Sequence, residues 1–131
     1  MLGMLAAISF GLAATGTAPE GAPTTAAAAT RIGLFVFIYR PGPAWRQGQP
    51  MHRQALAPHA AYHRQLFEQG RTFAAGGFLD DGGMAIVRAA DIDEARALLA
   101  SDPAITSGVF VGTVEQWRPR FRSNEPLPQT K

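Results

Sequence analysis

The segment RIGLFVFIYR, residues 31–40, constrains the fold more than any other part of this chain. Its alternating side chains predict a β-strand that is apolar on both faces. One face carries Ile32, Leu34, Val36 and Ile38, and the other carries Phe35, Phe37 and Tyr39. Because a strand of this kind is buried on both faces, each face of its sheet needs a cover.

Two helices are predicted from the residues that begin and end them. Pro58 suits the first turn of a helix, where its missing N–H costs nothing, and Gly70 suits the position just past the end. Asp91 and Glu94 have the spacing of a capping box at the start of the second helix. That helix is expected to end ahead of Pro103, which disfavours a helical conformation in the preceding residue.

Three more strands complete the predicted sheet. Residues 71–90 form two strands joined at Asp80–Gly83, and residues 107–117 form the last strand. The order β-α-β-β-α-β is that of the ferredoxin-like α+β fold, a split βαβ sheet. Since two helices cover only one face, we expect the aromatic face of the first strand to pack against a second copy of the chain, as a homodimer.

The first thirty residues differ from the rest of the chain. MLGMLAAISFGLAA is apolar but shorter than the ~20 residues of a stable membrane span, and a tract of small residues follows it. We interpret residues 1–30 as a leader of an exported protein, residues 31–122 as the domain and residues 123–131 as a tail. The alternative is a start codon assigned too early, with an untidy extension on a cytoplasmic domain.

Composition excludes several classes of function. With no cysteine, disulfides, thiolate metal sites and a cysteine nucleophile are impossible. The net charge of +2 comes from scattered arginines rather than a basic stripe, which argues against nucleic-acid binding. No phosphate-binding loop or dinucleotide fingerprint is present, so we predict a small-molecule partner and no cofactor.

The first helix places polar side chains on its inward side. His59, Tyr62 and His63 fall in the same quadrant of the helix as Leu66, which marks the core. Near a helix start the macrodipole disfavours imidazolium, so His59 is expected to be neutral. A neutral imidazole has one ring nitrogen free to accept a proton, as a general base requires.

Asp102 is the second polar residue predicted to point inward, because it continues the apolar stripe of the second helix. A buried carboxylate needs a donor, and a histidine of the first helix could supply it. An Asp–His pair would orient the imidazole and stabilise its protonated form, so we predict His59 and Asp102 as catalytic. The alternatives are that Asp102 only caps a short turn over PAIT, and that His59 and His63 pack without chemistry.

Further residues are weaker candidates for contacts with a substrate. Tyr62 and His63 lie beside His59, and Gly76 and Gly77 allow a ligand close to the backbone, although a strand kink explains them equally well. Arg40 and Trp45 flank a loop that could fold over the cleft, but a tryptophan that closes the edge of the core is an equal alternative. Two histidines four residues apart can chelate a metal; no motif supplies a third ligand, so we predict no metal.

Residues 31–122 resemble the YciI-like, or YCII-related, family of small proteins. The resemblance rests on the first strand with RPGPAW, on PHAAYHRQLFEQGRTFAAGG, on DDGGMAIVRAADIDEARALLASDPAITSGVF and on the closing VEQWRPRF. A family histidine eleven positions before the glycine that ends the first helix matches His59 and Gly70. A family aspartate in an Asp-Pro pair after the second helix matches Asp102 and Pro103.

The resemblance implies a dimeric α+β barrel of ferredoxin-like subunits, with His59 and Asp102 in a cleft proposed as an active site. Relatives include a dehydrochlorinase that acts on a chlorinated hydroxyhydroquinone. This chain has Gly76-Gly77 where the family usually has Gly-Pro, and the resemblance gives no role to His63.

The predicted function is therefore a small cofactor-independent enzyme that moves a proton on a small cyclic or aromatic substrate, by isomerisation or elimination. Two alternatives stay open, a metabolite-binding module without turnover and a structural dimer in which the His–Asp pair is only a buried strut.

Overall fold

The structure, a computed structural model, describes residues 31–128, so the predicted leader and the last three residues lie outside it. Four strands form one antiparallel sheet in the order β2-β3-β1-β4. Their bounds are Gly33–Pro41 for β1, Thr72–Gly77 for β2, Gly83–Ala89 for β3 and Phe110–Trp117 for β4. Three helices connect them: α1 (Ala57–Glu68), α2 (Ile92–Ala100) and α3 (Pro103–Thr106).

The predicted α+β, ferredoxin-like fold is confirmed by this order of elements and strands. Residues 103–106 form the additional helix α3, and the last strand is shorter than predicted because Ser107 is the C-cap of that helix. Gly108 then turns the chain with a φ of 75°, a conformation that favours glycine, and β4 begins at Phe110.

The helix ends follow the predicted local chemistry. Pro58 lies in the first turn of α1, and Gly70 follows its end with a φ of 70°. The N–H of Arg71 donates to Leu66 O at 2.8 Å, as in a Schellman motif. At α2, Asp91 Oδ1 accepts from the N–H of Glu94 at 2.8 Å. These contacts satisfy backbone groups that the helix itself leaves free.

The prediction about the two faces of the first strand is wrong. The aromatic residues Phe35, Phe37 and Tyr39 lie in the core beneath the helices, and the aliphatic residues face the other way. The helices contribute Ala95, Leu99 and Ala104 to this core, and Ile92, Leu98 and Ile105 pack against it. Rings from the sheet and aliphatic side chains from the helices together fill this layer.

The open face of the sheet is defined here as the face that carries Leu34, Val36 and Ile38, which are half-buried. Residues 118–128 contain no helix or strand, and part of this segment borders a groove on that face. The groove is lined in part by Ile86, Trp117, Phe121 and Leu127. Within residues 31–128, no helix has both the length and the apolar character needed to cross a membrane.

Candidate active site

Asp102 lies at the junction between α2 and α3, where its backbone is extended and Pro103 begins the new helix. Its Oδ1 accepts a hydrogen bond from the N–H of Ala104 at 2.9 Å, so it caps α3. Its side chain is completely buried, with 0% exposure. The cap is not its only contact, because the same carboxylate faces two histidines of α1.

His59 makes the shortest contact with this carboxylate. Its Nδ1 lies 2.9 Å from Asp102 Oδ1 and 2.8 Å from Oδ2. Because an ionised carboxylate only accepts hydrogen bonds, Nδ1 carries the hydrogen and donates it. Nε2 is then the ring nitrogen left to exchange a proton with a ligand, and this tautomer is the one that an Asp–His pair fixes.

His63 reaches the same carboxylate from the next turn of α1. Its Nε2 lies 3.2 Å from Asp102 Oδ2 and 3.0 Å from the hydroxyl of Tyr39. The rings of His59 and His63 are 4.6 Å apart between centroids, and both contact the Tyr39 ring edge-on. Two imidazoles, one phenol and one carboxylate therefore lie in mutual contact. His59, His63 and Asp102 are called the His–His–Asp cluster below.

The electrostatics of the cluster favour an ionised Asp102. Burial alone would raise the pKa of this carboxyl, but hydrogen bonds from His59, His63 and Ala104 outweigh burial and hold the pKa well below its usual range. Burial and the nearby negative charge of Asp102 raise the pKa of Tyr39, so its hydroxyl stays protonated. The cluster therefore holds a fixed negative charge beside two groups that can carry a proton.

A cavity of about 280 Å³ opens beside the cluster. A cavity of roughly 150 Å³ is enough to hold benzene, so this one suits a molecule with one substituted ring. Its polar side is formed by His59, His63 and Tyr39, and the rest is apolar or backbone. That remainder consists of Met51, Leu56, Ala60, Ala75, Gly76, Gly77, Gly82, Gly83, Met84, Ala85 and Phe110.

Three of the residues predicted to contact a substrate lie at this cavity, namely His63, Gly76 and Gly77. At Gly76 an added Cβ would meet no atom within 4 Å, but Gly76 pairs with Met84 opposite Ile38, so a side chain there would project to the open face. Gly77 pairs with Gly83 opposite Tyr39 and therefore lies on the face of the cavity. Gly77 has ordinary room as well, with Met51 Sδ at 3.6 Å from the position of a Cβ. Backbone therefore forms this wall of the cavity.

The other three predicted contacts do not line the cavity. Tyr62 donates its hydroxyl to Leu98 O at 2.7 Å and so ties α1 to α2. Trp45 is buried and stacks on Phe110 with centroids 5.5 Å apart, which is the alternative of a tryptophan closing the core. Arg40 follows the aliphatic side chains onto the open face, where its guanidinium lies 4.9 Å from the centroid of the ring of Phe78.

Sequence reasoning did not assign a role to Tyr39 in the site, although the alternation of β1 places it on the same face as Phe35 and Phe37. The prediction that this face packs against a second copy of the chain placed Tyr39 away from the helix that carries the histidines. Phe110 was also missed, and its ring packs edge-on against His59 at 5.4 Å between centroids. Phe110 begins a strand after a glycine turn, and no local pattern marks such a residue as part of a site.

The cluster also contains the third potential metal ligand that no motif supplied. His59, His63 and Asp102 each offer one ligand atom, and these atoms lie within 4.8 Å of one another. A histidine that binds a metal normally donates its other ring N–H to an acceptor. The Nδ1 of His63 is buried without a hydrogen-bond partner among the described residues, so the surroundings of His63 do not fit a metal ligand.

The fold and the cluster define a class of protein: a small ferredoxin-like α+β domain with a buried carboxylate that orients a histidine at a ring-sized cavity. The family model of the YCII-related domain matches residues 34–118, which is more than half of the chain. The chain belongs to the YCII-related family. No curated protein matches it.

A solved structure gives a more specific likeness. It is that of 5-chloro-2-hydroxyhydroquinone dehydrochlorinase from Burkholderia phenoliruptrix AC1100, in complex with 2,5-dihydroxybenzoquinone. The two chains share 27% identity with a TM-score of 0.51, over 65% of this chain and 93% of that chain. This chain is therefore similar in fold, at a distance, to an enzyme that acts on a small hydroxylated ring.

Proposed function

We propose that this protein is a small enzyme that uses His59 as a general acid and base on a small cyclic or aromatic substrate. The observation that carries the proposal is the contact of His59 Nδ1 with the buried Asp102 carboxylate, at 2.8 Å, beside a cavity of about 280 Å³. In this role Asp102 holds the tautomer of His59 and stabilises its imidazolium while His59 carries a proton.

The chemistry available to this pair is proton transfer. His59 Nε2 takes a proton from a hydroxyl group or an acidic carbon of the substrate and returns it to another atom, which is isomerisation. When the electrons left behind expel a leaving group, the same first step gives an elimination. Neither reaction needs a redox group, in keeping with the predicted absence of a cofactor. General acid–base catalysis of this kind contributes about 10²–10⁴-fold in rate.

We propose hydroxylated quinones and hydroquinones, with or without a halogen, as the substrate class to test first. The dehydrochlorinase that shares this fold acts on such a ring, and its structure contains 2,5-dihydroxybenzoquinone. The cavity here has space for one ring, and its mostly apolar lining suits the flat faces of such a molecule.

Binding and turnover of these rings test the proposal. We expect 2,5-dihydroxybenzoquinone to raise the melting temperature of the protein, and 5-chloro-2-hydroxyhydroquinone to release chloride in its presence. Gly77→Val should reduce both effects, because Gly77 shares the face of Tyr39 and a Cβ there lies 3.6 Å from Met51 Sδ, at the cavity. Gly76→Val, which adds the same bulk on the open face of the sheet, is the matched control and should retain both effects. Binding without turnover across a panel of related rings would favour a metabolite-binding module. The absence of both binding and chloride release would contradict the proposal.

We also propose that the protein is a homodimer that buries the open face of its sheet. Leu34, Val36 and Ile38 lie along the central strand of that face without a layer of helices above them. Trp117 on the neighbouring strand is 36% exposed. Apolar residues grouped in this way on a sheet are typical of a protein interface.

Light scattering after size exclusion tests the dimer. We expect a dimer for the wild-type protein and a monomer for Val36→Asp, since the new carboxylate lies at the centre of the open face. Ala97→Asp, on the exposed side of α2, is the control and should leave the dimer intact. A wild-type monomer at micromolar concentration would contradict this part of the proposal.

A further inference from the structure

His63 takes no part in the proton transfer proposed for His59, yet it is a polar side chain held in a nearly buried position. Its side chain is 14% exposed, and its Nε2 contacts the carboxylate that already serves His59. One carboxylate therefore meets two imidazoles on successive turns of α1. A second imidazole beside Asp102 either only fills space or changes how Asp102 acts on His59.

The hydrogen on His63 can be assigned from its contacts. If Tyr39 donated to Nε2 of His63, that nitrogen would be unprotonated and would direct a lone pair at Asp102 Oδ2, 3.2 Å away. The hydrogen would then sit on Nδ1, which is buried without an acceptor. Both consequences are unfavourable, because an unpaired buried N–H loses its full hydration. The geometry therefore favours a hydrogen on Nε2 of His63, which donates it to Asp102.

The other titratable groups near His59 and His63 lie on α1, the helix that carries both histidines, and on β1. Tyr39 lies against both rings, and burial together with Asp102 keeps its hydroxyl protonated. Tyr62 packs edge-on against His63, but its hydroxyl donates to Leu98 O. On the β4 side an apolar ring, Phe110, contacts His59. Among the described residues, no lysine or arginine makes an ion pair with Asp102.

We propose that His63 is a positioning residue that donates Nε2–H to Asp102 and thereby divides the carboxylate between two imidazoles. This inference rests on the proposed function, in which His59 is the residue that exchanges protons. A carboxylate that accepts a second strong donor attracts the first one less, so it stabilises the imidazolium of His59 less. His63 thus keeps His59 in the neutral form that can accept a proton, while still holding Asp102 in place.

Nitrogen-15 NMR of the histidine rings tests this inference without any substrate. In the wild-type protein we expect His63 to be protonated on Nε2 and not on Nδ1. In His63→Leu we expect His59 to titrate at a higher pH than in the wild-type protein, because Asp102 then accepts from one imidazole alone. His63→Gln keeps an N–H donor of similar reach, and its His59 should titrate close to the wild-type pH.

Three results would overturn the inference: a hydrogen on Nδ1 of His63, an unchanged or lower titration of His59 in His63→Leu, or an equal shift in His63→Gln. An equal shift in His63→Gln would mean that lost packing, and not the lost hydrogen bond to Asp102, changes the titration of His59. If His63→Leu does not fold, His63→Met provides the same apolar replacement with a more flexible side chain. Since the titration needs no turnover, failure to find a substrate would affect the proposed function and not this result.

Discussion

Replacing Asp102 with alanine is expected to lower the free energy of unfolding by at least about 1–3 kcal/mol, the cost of leaving a buried hydrogen-bond donor without its acceptor. The carboxylate accepts hydrogen bonds from His59, from His63 and from the N–H of Ala104. All of these donors lose their acceptor together, and α3 loses its cap. Equilibrium unfolding in urea, followed by circular dichroism, measures the loss.

Two further variants separate the causes. Asp102→Asn retains an oxygen that can accept from Ala104, so its loss should be smaller than that of the alanine variant. Asp93→Ala removes an exposed carboxylate that pairs with Arg96 at 3.2 Å on the surface of α2, and such pairs contribute little. If Asp102→Ala and Asp93→Ala were equally mild, the cluster would not be a source of stability.

The dependence of the free energy of unfolding on pH also tests how much Asp102 contributes to stability. The pKa of Asp102 is lowered in the folded protein, so its stabilisation is present above the ordinary pKa of an aspartate, about 4. It is lost as the pH falls below that value towards the lower pKa of the folded state. The difference in unfolding free energy between the wild-type protein and Asp102→Asn should therefore shrink as the pH falls below about 4.

Replacing His59 with glutamine is expected to reduce kcat/KM by about 10²–10⁴-fold on any substrate that the wild-type protein converts. Glutamine can still donate to Asp102, so the fold and the cavity should persist, but an amide cannot exchange a proton near neutral pH. The measurement is steady-state kinetics, with a melting curve to show that the variant is folded.

The third histidine of the chain provides the matched control for this variant. His52 is exposed in the 3₁₀ turn Met51–Arg53 and does not belong to the cluster, so His52→Gln should retain the wild-type rate. A His59→Gln variant as active as His52→Gln would exclude His59 as the acid–base group. A variant that binds the ring normally but does not convert it would support the role proposed here.

Much of the fold could be predicted because local chemistry determines it. Pro58, Gly70, Asp91 and Pro103 each act within a few residues of themselves, and the helix ends follow them. The approach of the two catalytic candidates was also predictable in outline. An inward-facing carboxylate after α2 and an inward-facing imidazole at the start of α1 both need a partner, and the split βαβ fold brings these places together. Their catalytic roles stay a prediction.

What sequence reasoning missed depends on contacts between distant elements. Both faces of β1 are apolar, so the pattern of β1 itself does not show which face the helices cover; the contacts of Phe35, Phe37 and Tyr39 with the helices decide it. The prediction that this face packs against a second copy of the chain concealed Tyr39 as a partner of His63. The position of Trp45 depends on a stack with Phe110, and no spacing in the chain encodes it.

The wall of the cavity at Gly77 has a consequence for how such proteins can diverge. Since a Cβ there would meet Met51 Sδ and Gly82 O only at ordinary contact distances of 3.6 and 3.8 Å, single substitutions can reshape the pocket with little loss of folding. The histidines and the aspartate lie on other elements, α1 and the start of α3. Preference for one ring over another can therefore evolve at the edge strand while the groups that handle protons are inherited unchanged.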